Sequence, residues 1–118
     1  MNLDGLTILV LEDEPIIAMA LEEQLEDTGA SPVVVGSLEA AHAVLEDGRF
    51  DAAILDINVH GGKSYPVAQR LAALGVPFVF ASGYGDTLNP DEFKSVPTVT
   101  KPYDIAALTR AIEAARLG

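Results

Sequence analysis

The sequence lacks cysteine and tryptophan, and aromatic residues make up only 6% of its 118 positions. Without cysteine, neither disulfide bonds nor thiolate metal sites can form. Hydrophobic residues nevertheless account for 49% of the chain, which suits a buried aliphatic core and is not typical of a disordered protein. We therefore expect one domain over residues 1–118, because a chain of this length has no room for a second core.

Basic residues are also few, since 7 lysines and arginines face 18 acids and the formal net charge is −11. Nucleic acids and anionic membranes are bound through such basic residues, so neither is expected as a partner. No apolar run approaches the roughly 18 residues of a membrane-spanning helix. The first residues also lack the basic segment of a signal peptide. We therefore expect a soluble cytoplasmic protein.

Short apolar runs alternate with segments of helical periodicity from one end of the chain to the other. Strands are predicted at residues 6–11, 32–36, 52–55, 78–81 and 96–100, and helices at 15–29, 37–47, 64–74 and from 104 onward. Glycine, asparagine and proline interrupt residues 83–95, so a fourth helix there is predicted to be short or mobile. This order predicts a doubly wound, five-stranded parallel sheet with helices on both faces.

Polar residues that suit metal and phosphate chemistry lie where four of the predicted strands end. They are Asp13, Asp56, Ser82 and Lys101. The carboxyl ends of parallel strands share one edge of the sheet, where ligands bind, so we expect these residues around one pocket. Mg²⁺ prefers oxygen ligands and typically takes one or two carboxylates. Asp13 and Asp56 would supply that pair, Glu12 would act through water, and the backbone carbonyl of Asn58 would complete the site.

The same residues suggest a phosphoryl acceptor. A carboxylate such as that of Asp56 can attack a phosphoryl donor and become an aspartyl phosphate. The transfer depends mainly on positioning and on neutralising the phosphoryl oxygens. Lys101 would provide a positive charge for one oxygen, and the Ser82 hydroxyl would donate a hydrogen bond to another.

Taken in order, these motifs resemble the receiver domain of bacterial two-component response regulators. The resemblance covers the whole chain and rests on Glu12-Asp13, Leu55-Asp56-Ile57-Asn58, Ala81-Ser82-Gly83 and Lys101-Pro102-Tyr103. It implies a flavodoxin-like sheet of strand order 2-1-3-4-5 and a cis Lys101–Pro102 bond. It also implies Mg²⁺-dependent transfer from a histidine kinase phosphohistidine to Asp56. No output domain is expected, so signalling would pass through contacts with other proteins, such as a histidine phosphotransfer or downstream regulatory protein.

A narrower resemblance links residues 77–84 and 58–66 to the "FAT GUY" receiver subfamily, with Ser82 in place of threonine. It implies a stand-alone partner of an HWE or HisKA2-type histidine kinase. The sequence leaves open whether such a protein relays a signal or drains phosphate from a competing regulator.

One position departs from the receiver pattern. Receivers carry an aromatic residue three positions before the lysine, and this chain has Thr98 there. Tyr84 is a candidate substitute for that switch residue, as is ordering of residues 83–95 on phosphorylation. Tyr103 is predicted to pack beside the lysine loop and to border a partner surface.

Two other functions remain open from the residues alone. A pseudo-receiver would bind its partner without phosphorylation, although a degenerate site usually loses one of the four strand-end residues. A hydrolase with an aspartyl-phosphate intermediate would place a second acid two residues after its nucleophile, and here that position is Asn58. The amide also predicts slow to moderate self-dephosphorylation. We therefore expect a phosphoacceptor protein rather than an enzyme.

Overall fold

Helices and strands alternate along the chain as the sequence predicts. The computed structural model describes residues 3–82, 90–101 and 103–117. The strands are β1 (Thr7–Leu11), β2 (Ser31–Val35), β3 (Ala52–Asp56), β4 (Asn58–Val59), β5 (Gly62–Lys63), β6 (Phe78–Ser82) and β7 (Thr98–Thr100). The α-helices are α1 (Pro15–Asp27), α2 (Leu38–Asp47), α3 (Tyr65–Leu74) and α4 (Ile105–Leu117), and Asp91–Phe93 form a 3₁₀ helix.

The main sheet has five parallel strands in the order β2-β1-β3-β6-β7. With the short strands β4 and β5 counted apart, this is the 2-1-3-4-5 order that the receiver resemblance implies, so the predicted fold is confirmed. Strands β1 and β3 lie beside each other at its centre, with Leu11 opposite Leu55. Asp56 pairs with Ala81, and Ser82 pairs with Thr100. The register therefore brings the carboxyl ends of β3, β6 and β7 to one edge.

Alternating side chains of the strands divide the core into two layers. Leu9 and Leu11 pack with buried residues of α2 and α3 on one face of the sheet. Ile8 and Val10 pack with buried residues of α1 and α4 on the other. Since successive strand residues point to opposite faces, strands buried on both sides read as continuous apolar runs. This explains why the sequence shows blocks of aliphatic residues rather than alternation.

Local signals place the helix ends. The Ser37 hydroxyl accepts a 3.0 Å hydrogen bond from the Ala40 backbone and caps α2, which serine does readily at this position of a helix. The carboxylate of Asp104 accepts from the Ala106 backbone at the start of α4. Gly75 ends α3 with a φ of +75°, a conformation that glycine adopts without steric cost. Within the described residues, no helix combines the length and the apolar composition needed to cross a bilayer.

Within the described residues between 90 and 97, the only helix is the 3₁₀ helix at Asp91–Phe93, and it is anchored by Phe93. This side chain is only 3% exposed. Its ring stacks on Tyr65 at 5.8 Å and meets Phe80 edge to face at 5.6 Å, measured between ring centroids. Strand β7 begins at Thr98 rather than at Val96, because Pro97 has no N–H to donate to a ladder. Residues 83–89 lie outside the described residues.

A short hairpin follows Asp56. Strands β4 and β5 pair antiparallel, with Asn58 opposite Lys63. The turn places His60 at φ +50° and Gly61 at φ +81°, the positive values that two-residue hairpin turns favour. Strands of two residues are too short to show periodicity, so no sequence pattern predicts this hairpin.

Candidate functional site

The carboxyl edge of the sheet brings the predicted site residues to one place. Asp13 follows β1, Asp56 is the last residue of β3, Ser82 is the last of β6, and Lys101 follows β7. Lys101 is held beside Ser82 through its backbone, since its N–H donates a 2.9 Å hydrogen bond to the Ser82 carbonyl. The topology thus gathers residues that lie as much as 88 positions apart in the sequence.

Three acids form the floor of the site. Carboxylate oxygens of Glu12, Asp13 and Asp56 all lie within 4.8 Å of one another. Glu12 and Asp56 are buried, whereas the Asp13 side chain is 20% exposed. Such a cluster concentrates negative charge in a place of low solvent access, so it needs a cation to balance it.

Lys101 supplies part of that balance. Its ammonium nitrogen lies 2.8 Å from Glu12 Oε1 and 3.0 Å from Asp56 Oδ2. Burial lowers the pKa of Lys101, but the hydrogen bonds to Glu12 and Asp56 outweigh burial and the net pKa is raised. The side chain therefore stays charged and is shared between two carboxylates.

The negative charge of Asp56 is only partly balanced by Lys101. Burial raises the pKa of Asp56 to about 6, with the charges of Glu12 and Asp13 adding to the shift and Lys101 opposing it. One lysine thus does not balance three neighbouring acids. The donor set fits a small hard cation, because Mg²⁺ takes oxygen ligands and would relieve the repulsion that raises this pKa.

Asp13 is oriented by the β4–β5 hairpin. The His60 backbone N–H donates a 2.8 Å hydrogen bond to Asp13 Oδ2, and His60 Nδ1 lies 3.7 Å from the same oxygen. Burial raises the pKa of Asp13, but the hydrogen bond from the His60 backbone and the neighbouring positive charges outweigh it, and the net pKa is lowered. Sequence reasoning gave His60 no role in the site, and the only signal was the His-Gly pair typical of a tight turn.

Both carboxylate oxygens of Glu12 accept hydrogen bonds. Besides Lys101, its Oε1 accepts a 3.0 Å hydrogen bond from the Tyr103 hydroxyl. Its Oε2 accepts one from the backbone N–H of Glu14 at 3.0 Å, at the start of α1. Burial and the Glu12 charge raise the pKa of Tyr103, so the phenol keeps its proton. The contact from Tyr103 was not predicted, although the residue was expected beside the lysine loop.

The remaining predicted positions are Asn58, Thr98, Tyr84 and Pro102. Asn58 lines the same cavity as Asp13, Asp56, Lys101 and Tyr103. Its side-chain oxygen accepts a 2.5 Å hydrogen bond from Lys63, across the hairpin. Thr98 is exposed and pairs with Phe80 in the sheet. Tyr84 and Pro102, and with them the predicted switch residue and cis bond, lie outside the described residues.

Comparison with known proteins agrees with this arrangement. The family model described as "Response regulator receiver domain" matches residues 8–113. The chain belongs to the response regulator receiver domain family. A receiver is a phosphoacceptor module of two-component systems and not an enzyme in the usual sense.

Two solved structures are similar to this receiver over nearly its whole length. The solution structure of SdrG from Sphingomonas melonis Fr1 is 44% identical, covers 100% of both chains and has a TM-score of 0.83. The BeF3-activated conformation of SdrG from Pseudomonas melonis Fr1 is 46% identical, covers 93% of this chain and 95% of that one, and has a TM-score of 0.79.

A curated relative is the virulence sensor protein BvgS of Bordetella bronchiseptica, which is 37% identical over 83 residues. The match covers 70% of this receiver but only 6% of the sensor's length. The similarity is therefore confined to a small part of that much longer protein.

Proposed function

We propose that this receiver takes a phosphoryl group from the phosphohistidine of a histidine kinase onto Asp56 and signals through contacts with other proteins. The observation that carries the proposal is the Lys101 ammonium, which lies 3.0 Å from Asp56 Oδ2 at the carboxyl edge of the sheet. There it can neutralise an oxygen of an incoming phosphoryl group while the carboxylate attacks.

The proposed step is a simple exchange of bonds. An oxygen of the Asp56 carboxylate forms the new P–O bond while the P–N bond to the donor imidazole breaks. The bonding electron pair stays with the imidazole nitrogen, which takes up a proton. Lys101 then contacts a phosphoryl oxygen, and the Ser82 hydroxyl is proposed to donate to another, as its place at the end of β6 allows.

Glu12, Asp13 and Asp56 would hold Mg²⁺, together with the backbone carbonyl of Asn58. When bound, the ion supplies positive charge that offsets the acids and the phosphoryl oxygens. The acids themselves are held in place by Lys101, by Tyr103 and by the His60 backbone. The site is therefore built before any donor arrives.

The partner is proposed to be an HWE or HisKA2-type kinase, as for the FAT GUY subfamily. Support for this kinase type comes from the motif at residues 77–84. The similarity to SdrG, which has a BeF3-activated conformation, supports phosphoryl acceptance itself. We also propose that residues 1–118 act as one receiver that passes the signal to a histidine phosphotransfer or downstream regulatory protein. Because the donor kinase uses ATP, the protein would work in the cytoplasm.

A pseudo-receiver is the less favoured alternative, because Asp13, Asp56 and Lys101 are all present and in contact range. The proposal is tested by intact-mass measurement after incubation with acetyl phosphate and Mg²⁺. We expect one added phosphoryl group that is lost without Mg²⁺ and in Asp56→Asn. The absence of an adduct, both with acetyl phosphate and with a phosphorylated kinase, would favour the pseudo-receiver.

A further inference from the structure

Tyr103 joins the loop after β7 to Glu12, which lies 91 residues away in the sequence. Its hydroxyl donates to Glu12 Oε1 at 3.0 Å. The rest of the side chain packs against the core layer formed with α1 and α4. Tyr103 also lines the cavity that contains Asp56 and Lys101. It therefore has a polar end in the site and an apolar body in the core.

Two donors share one oxygen of Glu12. Oε1 accepts from the Tyr103 hydroxyl and from the Lys101 ammonium, which is 2.8 Å away. The Glu12 side chain is 0% exposed, so no bulk water replaces a donor that leaves. Although Oε2 keeps its hydrogen bond from the Glu14 backbone, a buried Oε1 without a donor would be destabilised. The strength with which Glu12 retains Lys101 thus depends on whether Tyr103 is present.

Lys101 has to change partners during phosphorylation. In this structure its ammonium is divided between Glu12 and Asp56. A phosphoryl group on Asp56 offers it a more highly charged acceptor. Whatever binds the ammonium more firmly to Glu12 will weaken its contact with the phosphoryl oxygen.

We propose that Tyr103 is a positioning residue that keeps Glu12 hydrogen-bonded when Lys101 turns to the phosphoryl group. The inference rests on the proposed function and adds a role for a hydroxyl that does not touch the reacting atoms. A phenylalanine would preserve the packing but leave Lys101 as the side-chain donor to Oε1. Glu12 would then retain the lysine, and binding of the phosphoryl group would weaken.

The test compares the wild-type chain with Tyr103→Phe and with Tyr65→Phe, which removes a phenol hydroxyl at the start of α3. Each protein is titrated with Mg²⁺ alone and with beryllofluoride in the presence of Mg²⁺, followed by NMR. The titration with Mg²⁺ alone measures any change in metal affinity, and beryllofluoride affinities are compared at saturating Mg²⁺. Tyr103→Phe should bind beryllofluoride about tenfold more weakly, as expected for a lost hydrogen bond to a charged group. Unchanged beryllofluoride affinity in this variant would overturn the inference.

A Glu12→Gln background distinguishes this indirect role from direct contact with the phosphoryl group. Since Glu12 is also a proposed Mg²⁺ ligand, both backgrounds are compared at saturating Mg²⁺. Because a neutral amide oxygen retains the lysine weakly, Tyr103→Phe should change beryllofluoride affinity much less in the Glu12→Gln background. A full tenfold loss in that background would mean that Tyr103 acts on the phosphoryl group itself, and the positioning role would be wrong.

Lysine labelling gives a readout that needs neither metal nor phosphate. In the metal-free protein, amine acetylation of Lys101 should be severalfold slower in Tyr103→Phe than in the wild type, with Lys63 and Lys94 as internal references. Equal labelling would contradict the proposed competition for Oε1.

If wild-type protein fails to bind beryllofluoride with Mg²⁺, the proposed function and the role of Tyr103 both fail. Normal wild-type binding with an unaffected variant overturns the role of Tyr103 alone.

Discussion

Replacing Asp56 by asparagine should stabilise the metal-free protein at neutral pH. Its carboxylate is buried among Glu12 and Asp13, and its pKa rises from 3.8 to about 6. A difference of roughly two pKa units corresponds to about 3 kcal/mol between the protonated and ionised forms. Asparagine resembles the protonated form, so the variant should gain about 1–3 kcal/mol in free energy of unfolding at pH 7.

The sign of the pH dependence follows from the two pKa values. Well below pH 3.8, Asp56 is protonated in the folded and unfolded states and has no effect on stability. Between pH 4 and 6 the unfolded chain loses this proton first, so the wild type loses stability relative to the variant as pH rises. The difference should therefore grow across this window and stay constant above it. Addition of Mg²⁺ should reduce it, because a ligand of the folded state stabilises the wild type.

Urea unfolding in a metal chelator at pH 4 and pH 7 measures both effects. Asp47→Asn, at an exposed position at the end of α2, serves as the matched control and should change little at either pH. If Asp56→Asn is no more stable than the wild type at pH 7 without metal, the carboxylate is not strained by its neighbours. The electrostatic account of the site would then be wrong.

Three further substitutions test other parts of the structure. Gly61→Val should weaken Mg²⁺ binding in calorimetry, because a β-branched residue at φ +81° distorts the turn that orients Asp13; wild-type affinity would contradict this role of the hairpin. Phe93→Ala should lower the free energy of unfolding by about 3–5 kcal/mol in urea, as for other buried aromatic residues, and a loss below 1 kcal/mol would mean that the ring is not anchored. Lys101→Gln should reduce beryllofluoride affinity at least tenfold, because a charged hydrogen bond is lost. Lys94→Gln, at an exposed position, is the control and should bind beryllofluoride as the wild type does. Equal affinities of the two variants would contradict the role of Lys101.

The sheet and the strand-end residues could be predicted because they follow from patterns within short stretches of sequence. Each strand is a local apolar run, and a parallel sheet brings the residues after those runs to a common edge. Asp13, Asp56 and Lys101 were placed correctly on this basis alone. The two layers of the core follow in the same way from strands that are apolar on both faces.

The contacts that complete the site depend on backbone geometry that no local pattern encodes. Tyr103 reaches Glu12 only because the loop after β7 passes beside the end of β1. The His60 backbone reaches Asp13 only because the chain makes a tight turn after Asp56. Hydrogen bonds of this kind join residues distant in sequence, and one of the two involves a backbone N–H that every residue except proline carries.

The most direct test of the central claim is to locate the phosphoryl group within the chain. After incubation with acetyl phosphate and Mg²⁺, borohydride reduces an aspartyl phosphate to homoserine, which peptide mass spectrometry assigns to a position. We expect homoserine at position 56 in the wild type, and none in protein treated without Mg²⁺ or in Asp56→Asn. Homoserine at another aspartate, or at none when a phosphorylated kinase is also supplied, would contradict the assignment of Asp56 as the phosphoacceptor.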